Sequence, residues 1–197
     1  TDNSPDGNHS AMFICEKAYE EFIKFGVNNF SLNKFIESLE MSKGQFYYYF
    51  KKKEELIYEV IDRKGQKILE ATIEKTDRAT TFFDKLLALF SFYIASSPED
   101  AAFDKLMKDT FYLYLNIENQ YIKQKNAEFY EFLFNYTEGI FTEMIEKGYL
   151  SEDAKAIIPS LIATGDGMYL QSIVLENYNL KQRLTEYLAL VDRLLRK

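Results

Sequence analysis

Residues 41–56 combine lysines, tyrosines and a glutamine in a pattern that is typical of contact with an anionic polymer. The segment reads MSKGQFYYYFKKKEEL. It holds four lysines and no acid between Ser42 and Lys53, although the formal net charge of the chain is -7. Lysine ammonium groups pair with phosphate, and Lys and Gln side chains can hydrogen-bond to base edges. The segment therefore indicates a nucleic-acid-binding site.

Two short helices are predicted to position these side chains. Ser31 can cap a helix that reaches about Ser38, and Ser42 can cap a second helix that reaches about Phe50. Two helices joined by a three-to-four-residue turn form a helix-turn-helix, in which the second helix lies in the major groove of DNA. Phe46 and Phe50 are four residues apart, so we expect both to face a small core. The predicted motif spans residues 31–50.

The order of residues in this region resembles the tetracycline-repressor (TetR) family of bacterial regulators. From Ser42 to Leu56 the matching pattern is S-K-G-x-x-Y-Y-x-F-K-x-K-E-E-L. Upstream positions also fall at the spacing of the family's first helix and second-helix cap: Ile14, Ala18, Phe22, Gly26 and Ser31. The resemblance is strong over roughly residues 12–60.

The resemblance implies a role for each position of the motif. Positions expected to contact bases or the adjacent backbone are Lys43, Gln45, Tyr47 and Tyr49. Positions expected to bind phosphate are Ser31, Ser42, Tyr48 and Lys53, while Gly44 would let the backbone approach the DNA. The chemistry agrees, because glutamine can pair with adenine and lysine can donate to guanine. The alternative is structural. A lysine run such as residues 51–53 is more commonly a solvated surface turn, and Tyr48 or Tyr49 alone would pack against the protein as often as contact DNA.

The sequence departs from the family pattern at several places. Glu40 stands in a turn where glycine is common and a left-handed conformation is expected. Tyr49 stands where histidine is common, which leaves the base preference open. Thr1–Ser10 contains no Lys or Arg, so a basic arm in the minor groove is not predicted.

Composition and apolar spacing predict an all-α protein of about nine helices. The chain has 197 residues, with eight Gly, three Pro, one Cys and one His, which argues against many short strands, a disulfide framework and a zinc site. Cys15 lies on an apolar stripe and is expected in the core. The predicted helices cover Ala11–Phe25, 31–38, 42–50, 53–77, 81–96, 98–115, 120–147, 151–177 with a kink at Pro159, and 180–196.

The expected architecture has two parts. Residues 11–60 would form a three-helix DNA-binding domain, which the long fourth helix joins to a ligand-binding and dimerisation domain at residues 61–197. No secretory signal is seen, and the longest apolar run, Leu86–Ala95, is about half of a bilayer span. We therefore expect a cytoplasmic protein with no membrane partner.

The last two helices are expected to form a homodimer. A weaker family resemblance continues at residues 146–150 and 163–168, and it implies a four-helix bundle between two subunits. Residues 157–174 and 184–195 would supply apolar faces, and Gly165 and Gly167 would allow close helix approach. The alternative is that these helices complete a monomeric core. A dimer is favoured because a twofold protein places two recognition helices ~34 Å apart, one DNA turn.

The family resemblance also implies a pocket for a lipophilic or aromatic effector in the middle helices. The candidate lining residues are Phe90, Tyr93, Phe111, Tyr114, Phe129, Phe132 and Tyr136. The alternative is that these rings are ordinary core. Nearby acids suggest a cationic, lipophilic ligand, although surface helices carry such acids routinely: Asp104, Asp109, Glu128, Glu131 and Glu138.

Together these observations predict a homodimeric repressor that binds double-stranded operator DNA and is released by a small molecule. No cofactor, metal or catalytic residue is expected. A di-iron enzyme would need Glu-x-x-His pairs on facing helices, and the only histidine is His9. The sequence is also compatible with a DNA-binding activator or architectural factor without an effector, and with a helical protein–protein adaptor.

Overall fold

The computed structural model describes residues 5–116 and 118–197, and it confirms the all-α fold. The α-helices are α1 (Pro5–Phe25), α2 (Leu32–Ser38), α3 (Lys43–Tyr49), α4 (Lys53–Arg78), α5 (Phe82–Leu89), α6 (Pro98–Asp109), α7 (Gln120–Glu146), α8 (Ile158–Val174) and α9 (Leu180–Leu195). Four 3₁₀ segments are Val27–Asn29, Phe90–Tyr93, Phe111–Leu115 and Glu152–Ile157. Within the described residues, β pairing is limited to an isolated bridge between Leu150 and Arg196.

The fifth and sixth helices end earlier than the sequence predicts, and each continues as a 3₁₀ segment. Side-chain hydroxyl groups bond to backbone carbonyls at both ends. Ser91 donates to the Ala88 carbonyl at 2.6 Å, and Thr110 donates to the Leu106 carbonyl at 2.7 Å. Such bonds compete with the regular helix ladder, and the ring-rich residues that follow have weak helix propensity.

The predictions for the first helix and for Pro159 were also wrong in detail. Helix α1 begins at Pro5 rather than Ala11, so it includes His9. Pro159 lies in the first turn of α8, after a 3₁₀ segment, and does not kink a longer helix. A proline fits this place because the first-turn N–H has no partner within the helix.

Packing divides the chain into two compact units. The first contains the residues up to Lys67 together with Ser97–Lys125, and the second contains Ile68–Ser96 and Asn126–Lys197. The predicted functional division between residues 60 and 61 concerns DNA and ligand binding, and it stays a prediction. The packing itself groups α6 with the N-terminal helices.

The core of the first unit holds the inward side chains of the predicted motif. Phe35, Ile36, Phe46 and Phe50 are buried there, and the spacing of the last two predicted their burial. Cys15 is buried in the same cluster, which confirms its predicted place, and burial raises the pKa of its thiol to about 12. This core fixes the orientation of α2 and α3.

The second unit is built around the rings and aliphatic side chains of α5, α7, α8 and α9. The Phe82 and Phe141 rings meet edge to face, with centroids 5.1 Å apart. Leu184, Leu188 and Val191 of α9 are buried within the chain itself. This part of the apolar face predicted at residues 184–195 therefore contributes to the subunit's own core, and the homodimer stays a prediction.

Among the described residues, no helix combines the length and the apolar character that crossing a membrane requires.

Candidate nucleic-acid interface

A reciprocal capping box fixes the start of α3. The Ser42 hydroxyl oxygen accepts the Gln45 backbone N–H at 3.2 Å, and the Gln45 side-chain oxygen accepts the Ser42 backbone N–H at 2.9 Å. Two backbone N–H groups that the helix leaves without partners are thus satisfied by the helix's own residues. The sequence identified Ser42 as a cap but missed the second role of Gln45, which the Ser-x-x-Gln spacing could have revealed.

The turn before α3 has the backbone conformation that the sequence predicted. Glu40 has a φ of 54°, in the left-handed region that a side chain with a Cβ adopts at some energetic cost. Ser31 precedes α2 with extended backbone angles, and its side chain makes no capping hydrogen bond. The Ser31 hydroxyl is therefore available to another partner.

Helix α3 has one face in the core and one in solvent. Phe46 is buried on the inner side, and Tyr49 is half-buried against the same core. The exposed residues are Ser42, Lys43, Gly44, Gln45, Tyr47 and Tyr48. We call these six residues the outer face of α3. They are the predicted contact positions of this helix except Tyr49.

The lysines after α3 have different local partners. The Lys51 ammonium donates to the Tyr47 carbonyl at 2.9 Å and so caps the end of α3. The Lys53 ammonium donates to the Phe30 carbonyl at 2.9 Å and lies 5.4 Å from the centre of the Phe30 ring. Because Phe30 precedes Ser31 in the chain, this bond brings Lys53 close to the predicted phosphate contact of α2. Lys52 is exposed.

Packing within the protein does not require a glycine at position 44. A Cβ at Gly44 would come only within 3.9 Å of the Ser42 hydroxyl oxygen, which is an ordinary contact. A helix interior would gain stability from alanine at this position. The absence of a side chain is thus useful only for something that approaches the outer face of α3 from outside.

The outer face of α3 can donate hydrogen bonds and positive charge over a short distance. Lys43 supplies an ammonium, Gln45 an amide N–H₂, and Tyr47 and Tyr48 their hydroxyls. Phosphate oxygens and the major-groove acceptors of guanine are suitable partners for such donors. The Gln45 side-chain oxygen already accepts one bond, and its second lone pair can still accept a bond from adenine.

Residues 14–60 match the family described as bacterial regulatory proteins of the tetR family. This range contains α2, α3, the turn between them and the start of α4. Solved structures of TetR regulators also share the fold along nearly the whole chain. One from Cytophaga hutchinsonii has a TM-score of 0.76 at 18% identity and covers 98% of both chains. Residues 14–60 therefore form a domain of the tetR family.

Two further similar proteins are regulators of fatty acid metabolism. The fatty acid metabolism regulator protein of Bacillus subtilis (strain 168) is 26% identical over 141 residues, which cover 72% of this chain and 71% of the relative. The fatty acid degradation regulator FadR of Bacillus halodurans has a TM-score of 0.66 at 18% identity and covers 98% of this chain and 97% of its own. The structural likenesses show the fold alone, and the family match shows a tetR-family domain at residues 14–60.

The predicted pocket residues are divided between the two units. Phe111 and Tyr114 belong to the first unit, where their rings stack with centroids 5.9 Å apart. The other five belong to the second unit: Phe90, Tyr93, Phe129, Phe132 and Tyr136. Within that unit Phe132 stacks on Tyr136 at 5.8 Å.

Three of the acids that suggested a cationic ligand have lysine partners. Asp104 pairs with Lys108 at 2.8 Å, Asp109 pairs with Lys105, and Glu138 lies 3.5 Å from Lys155. Glu128 and Glu131 are exposed on α7. The carboxylate that the structure places among aromatic rings is instead Asp166, in the Asp-Gly pair of α8. No local spacing links Asp166 to those rings, so sequence reasoning missed it.

Proposed function

We propose that the protein is a homodimeric repressor, which binds an operator through the outer face of α3 and is released when a small lipophilic molecule binds. The observation that carries this proposal is the division of α3 into a buried face and a solvent face rich in donors. Phe46 anchors the helix in the core, while Lys43, Gln45, Tyr47 and Tyr48 point away from it. This arrangement supports insertion of α3 into the major groove.

In this proposal the contacts divide between bases and phosphates. Lys43, Gln45 and Tyr47 contact base edges or the adjacent backbone, with Tyr49 at the margin of the interface. Phosphate contacts come from the hydroxyls and ammonium around the motif: Ser31, Ser42, Tyr48 and Lys53. Gly44 keeps the surface flat where the DNA backbone approaches. Phosphate contacts fix the register on the duplex, and base contacts supply the sequence preference.

Exposed apolar side chains on α8 and α9 support the proposed homodimer. Val174 is 71% exposed and Leu194 is 69% exposed. The exposed apolar residues of the two helices and the residue after α8 are Leu170, Val174, Leu175, Leu190 and Leu194. Such a concentration of exposed aliphatic groups is typical of a protein–protein interface. A Cβ at Gly167 would meet nothing within 4 Å, so the subunit itself leaves space at this position for a partner helix.

The dimer can be tested on these residues. Leu190→Glu with Leu194→Glu should give a monomer in sedimentation equilibrium and weaken operator binding. Leu184→Ala is the contrasting variant, because Leu184 is buried in the subunit core and its truncation should lower stability without creating a stable monomer. A wild-type protein that sediments as a monomer at the concentration where it binds DNA would refute the proposed assembly.

Release by an effector requires a difference in affinity between two conformations. A ligand shifts the equilibrium toward a state unable to bind the operator only if it binds that state more tightly. Two relatives regulate fatty acid metabolism, which supports an effector with a lipophilic part. The aromatic residues of the second unit are suited to enclose such a group.

DNA binding is tested first, with fluorescence anisotropy of a labelled duplex taken from upstream of the gene. We expect the logarithm of the binding constant to fall linearly with the logarithm of salt concentration. Lys53→Ala should weaken binding to all sequences and reduce the salt slope by about 1. Gln45→Ala should change the sequence preference, and Lys52→Ala is the matched lysine control.

The same titration separates the proposed repressor from an adaptor and from an activator. A protein without salt-sensitive binding to that duplex is not an operator-binding regulator, and an adaptor role would then account for the fold. DNA binding that no acyl-CoA, lipophilic cation or aromatic acid reduces would favour an activator or architectural factor without an effector. Lys53 also bonds to the Phe30 carbonyl, so the stability of its variant must be measured in parallel.

A further inference from the structure

The Asp166 carboxylate joins three helical segments of the second unit and has no cationic partner among the described residues. One of its oxygens accepts the Tyr93 hydroxyl, and the other accepts the Tyr130 hydroxyl at 2.7 Å. Asp166 is half-buried, and no described lysine or arginine forms an ion pair with it. Tyrosine hydroxyls donate hydrogen bonds to a carboxylate but carry no positive charge. Asp166 therefore supplies a negative charge that another molecule could neutralise.

Other aromatic rings pack against the two tyrosines that bind this carboxylate. The Tyr93 ring lies 4.0 Å from the Phe92 ring and 5.6 Å from the Tyr169 ring, measured between centroids. Phe129 lies 6.3 Å from Phe92 and 5.9 Å from Tyr130. We call Phe92, Tyr93, Phe129, Tyr130 and Tyr169 the ring cluster. Its members come from the segment after α5, from α7 and from α8, so it forms only when these elements pack together.

Gly165 holds the carboxylate against the rings. A Cβ at position 165 would lie 2.5 Å from the Phe90 ring and 3.2 Å from the Tyr93 ring, so only glycine permits this approach. The next residue, Asp166, is thereby kept in reach of both tyrosine hydroxyls. Anionic oxygens and aromatic side chains thus occur together in one region of the second unit.

We propose that this region binds the cationic head of a lipophilic effector, namely an alkylammonium group. This inference rests on the proposed effector-controlled function and names the effector's chemical class. The carboxylate attracts the positive charge, and the faces of tyrosine and phenylalanine rings stabilise a desolvated ammonium through their negative quadrupoles. The hydrocarbon part gains by burial against the remaining rings. An anionic acyl group would instead meet the charge of Asp166 and be repelled.

The test uses three soluble probes with the same six-carbon chain: hexyltrimethylammonium, 1-hexanol and hexanoate. Binding to the full-length protein without DNA is measured by isothermal titration calorimetry. We expect the cation to bind at least about tenfold more tightly than the alcohol, with hexanoate weakest. Equal binding of all three, a preference for hexanoate, or no binding of the cation would overturn the proposal.

A pair of carboxamide variants assigns the preference to Asp166. Asp166→Asn keeps the size of the side chain and removes its charge, so the preference for the cation should fall by about tenfold. Asp77→Asn is the matched control, because Asp77 also accepts a tyrosine hydroxyl, from Tyr136 at 2.6 Å, but is exposed. A preference that survives Asp166→Asn, or that is lost equally in Asp77→Asn, would overturn the proposal.

A third variant separates binding from folding. Tyr130→Phe removes one hydrogen bond to Asp166 and keeps the ring, so it should leave the preference for the cation intact while lowering stability. If the preference disappears in this variant although the protein remains folded, the Asp166 charge and the rings are not what selects the cation, and the proposal is overturned. The anisotropy titration on upstream DNA is run in parallel without probes. Failure of that titration alone rejects the proposed function, whereas failure of the cation titration alone rejects this inference.

Discussion

The outer face of α3 and the ring cluster around Asp166 both combine tyrosines with charged groups, but the chain assembles them differently. The outer face of α3 comes from consecutive residues, and local bonds such as the Ser42–Gln45 capping box hold it in place. The Asp166 hydrogen bonds join residues 73 and 36 positions apart. One region is therefore set by local sequence, and the other exists only after the second unit has folded.

This difference has a consequence for what each region can bind. Tyr48 is 55% exposed and belongs to a convex helix surface, which can contact a groove in a large partner. Tyr93 and Tyr169 are almost fully buried, so they can contact only a small group that enters the second unit. Similar residue types thus support a macromolecular contact in one place and a small-molecule contact in the other.

The largest effect is expected from truncating the inner side of α3. Phe46→Ala should lower the free energy of unfolding by about 3–5 kcal/mol, because the ring is fully buried. Tyr48 is exposed on the same helix, so Tyr48→Ala should change stability by no more than about 0.5 kcal/mol. This variant should instead weaken DNA binding. Urea unfolding and the anisotropy titration measure the two quantities. If Tyr48→Ala were as destabilising as Phe46→Ala, the division of α3 into two faces would be wrong.

Local signals explain why so much of the first unit could be predicted from the sequence. Ser42 caps α3, Glu40 adopts the expected left-handed turn, and Phe46 and Phe50 face the core. Each of these features depends on residues within a few positions of one another. Helical spacing and turn chemistry are therefore sufficient to identify them.

In the second unit, local sequence patterns do not identify which residues pack together. The sequence predicts that Gly165 allows close helix approach between subunits. In the structure, Gly165 packs against the Phe90 ring of its own chain. Leu188 lies in the apolar face predicted at residues 184–195, and it is buried within the subunit. An apolar stripe or a small residue shows that something packs there, but only the tertiary structure shows what. For the same reason the acid near the rings could not be chosen correctly from the sequence.

Variants of two glycines, one in each region, are expected to change stability by an intermediate amount. Gly165→Ala should lower the free energy of unfolding by about 1–3 kcal/mol, because the new methyl group would overlap the Phe90 ring. Gly44→Ala should leave stability unchanged or raise it by up to about 1 kcal/mol, since its Cβ meets no close atom. Thermal unfolding checks both variants.

The functional effects of the two glycine variants should be reversed. Gly44→Ala is expected to weaken DNA binding despite its stable fold, because a methyl group would stand between α3 and the DNA backbone. Gly165→Ala should retain DNA binding at temperatures where it is folded. Unchanged DNA affinity in Gly44→Ala would remove Gly44 from the proposed interface.

Two serines at helix starts provide a smaller contrast. Ser42→Ala removes a hydroxyl that caps α3 and should lower stability by about 1 kcal/mol. Ser31→Ala removes a hydroxyl that makes no capping bond, so stability should change by no more than about 0.5 kcal/mol. Both variants should bind DNA more weakly, Ser31→Ala through the loss of a phosphate contact alone. Unaltered DNA binding in Ser31→Ala, measured at several salt concentrations, would exclude that contact.

The smallest effect concerns Cys15 and tests whether the core beneath α3 is closed. Burial raises the pKa of this thiol from 9.0 to about 12. A raised pKa means that its contribution to stability is complete below pH 9 and is lost only as the pH rises through about 12. Between pH 7 and pH 9, Cys15 should therefore leave the unfolding free energy unchanged.

The same burial predicts the reactivity of Cys15. The thiolate is the reactive form, so iodoacetamide should label the folded protein slowly at pH 9 and the urea-unfolded protein quickly. Cys15 is the only cysteine, and the modified fraction can thus be read directly by mass spectrometry. Fast labelling of the folded protein would mean that the first unit opens readily. The outer face of α3 would then not be held on a closed core, and its contrast with the buried ring cluster would lose its physical basis.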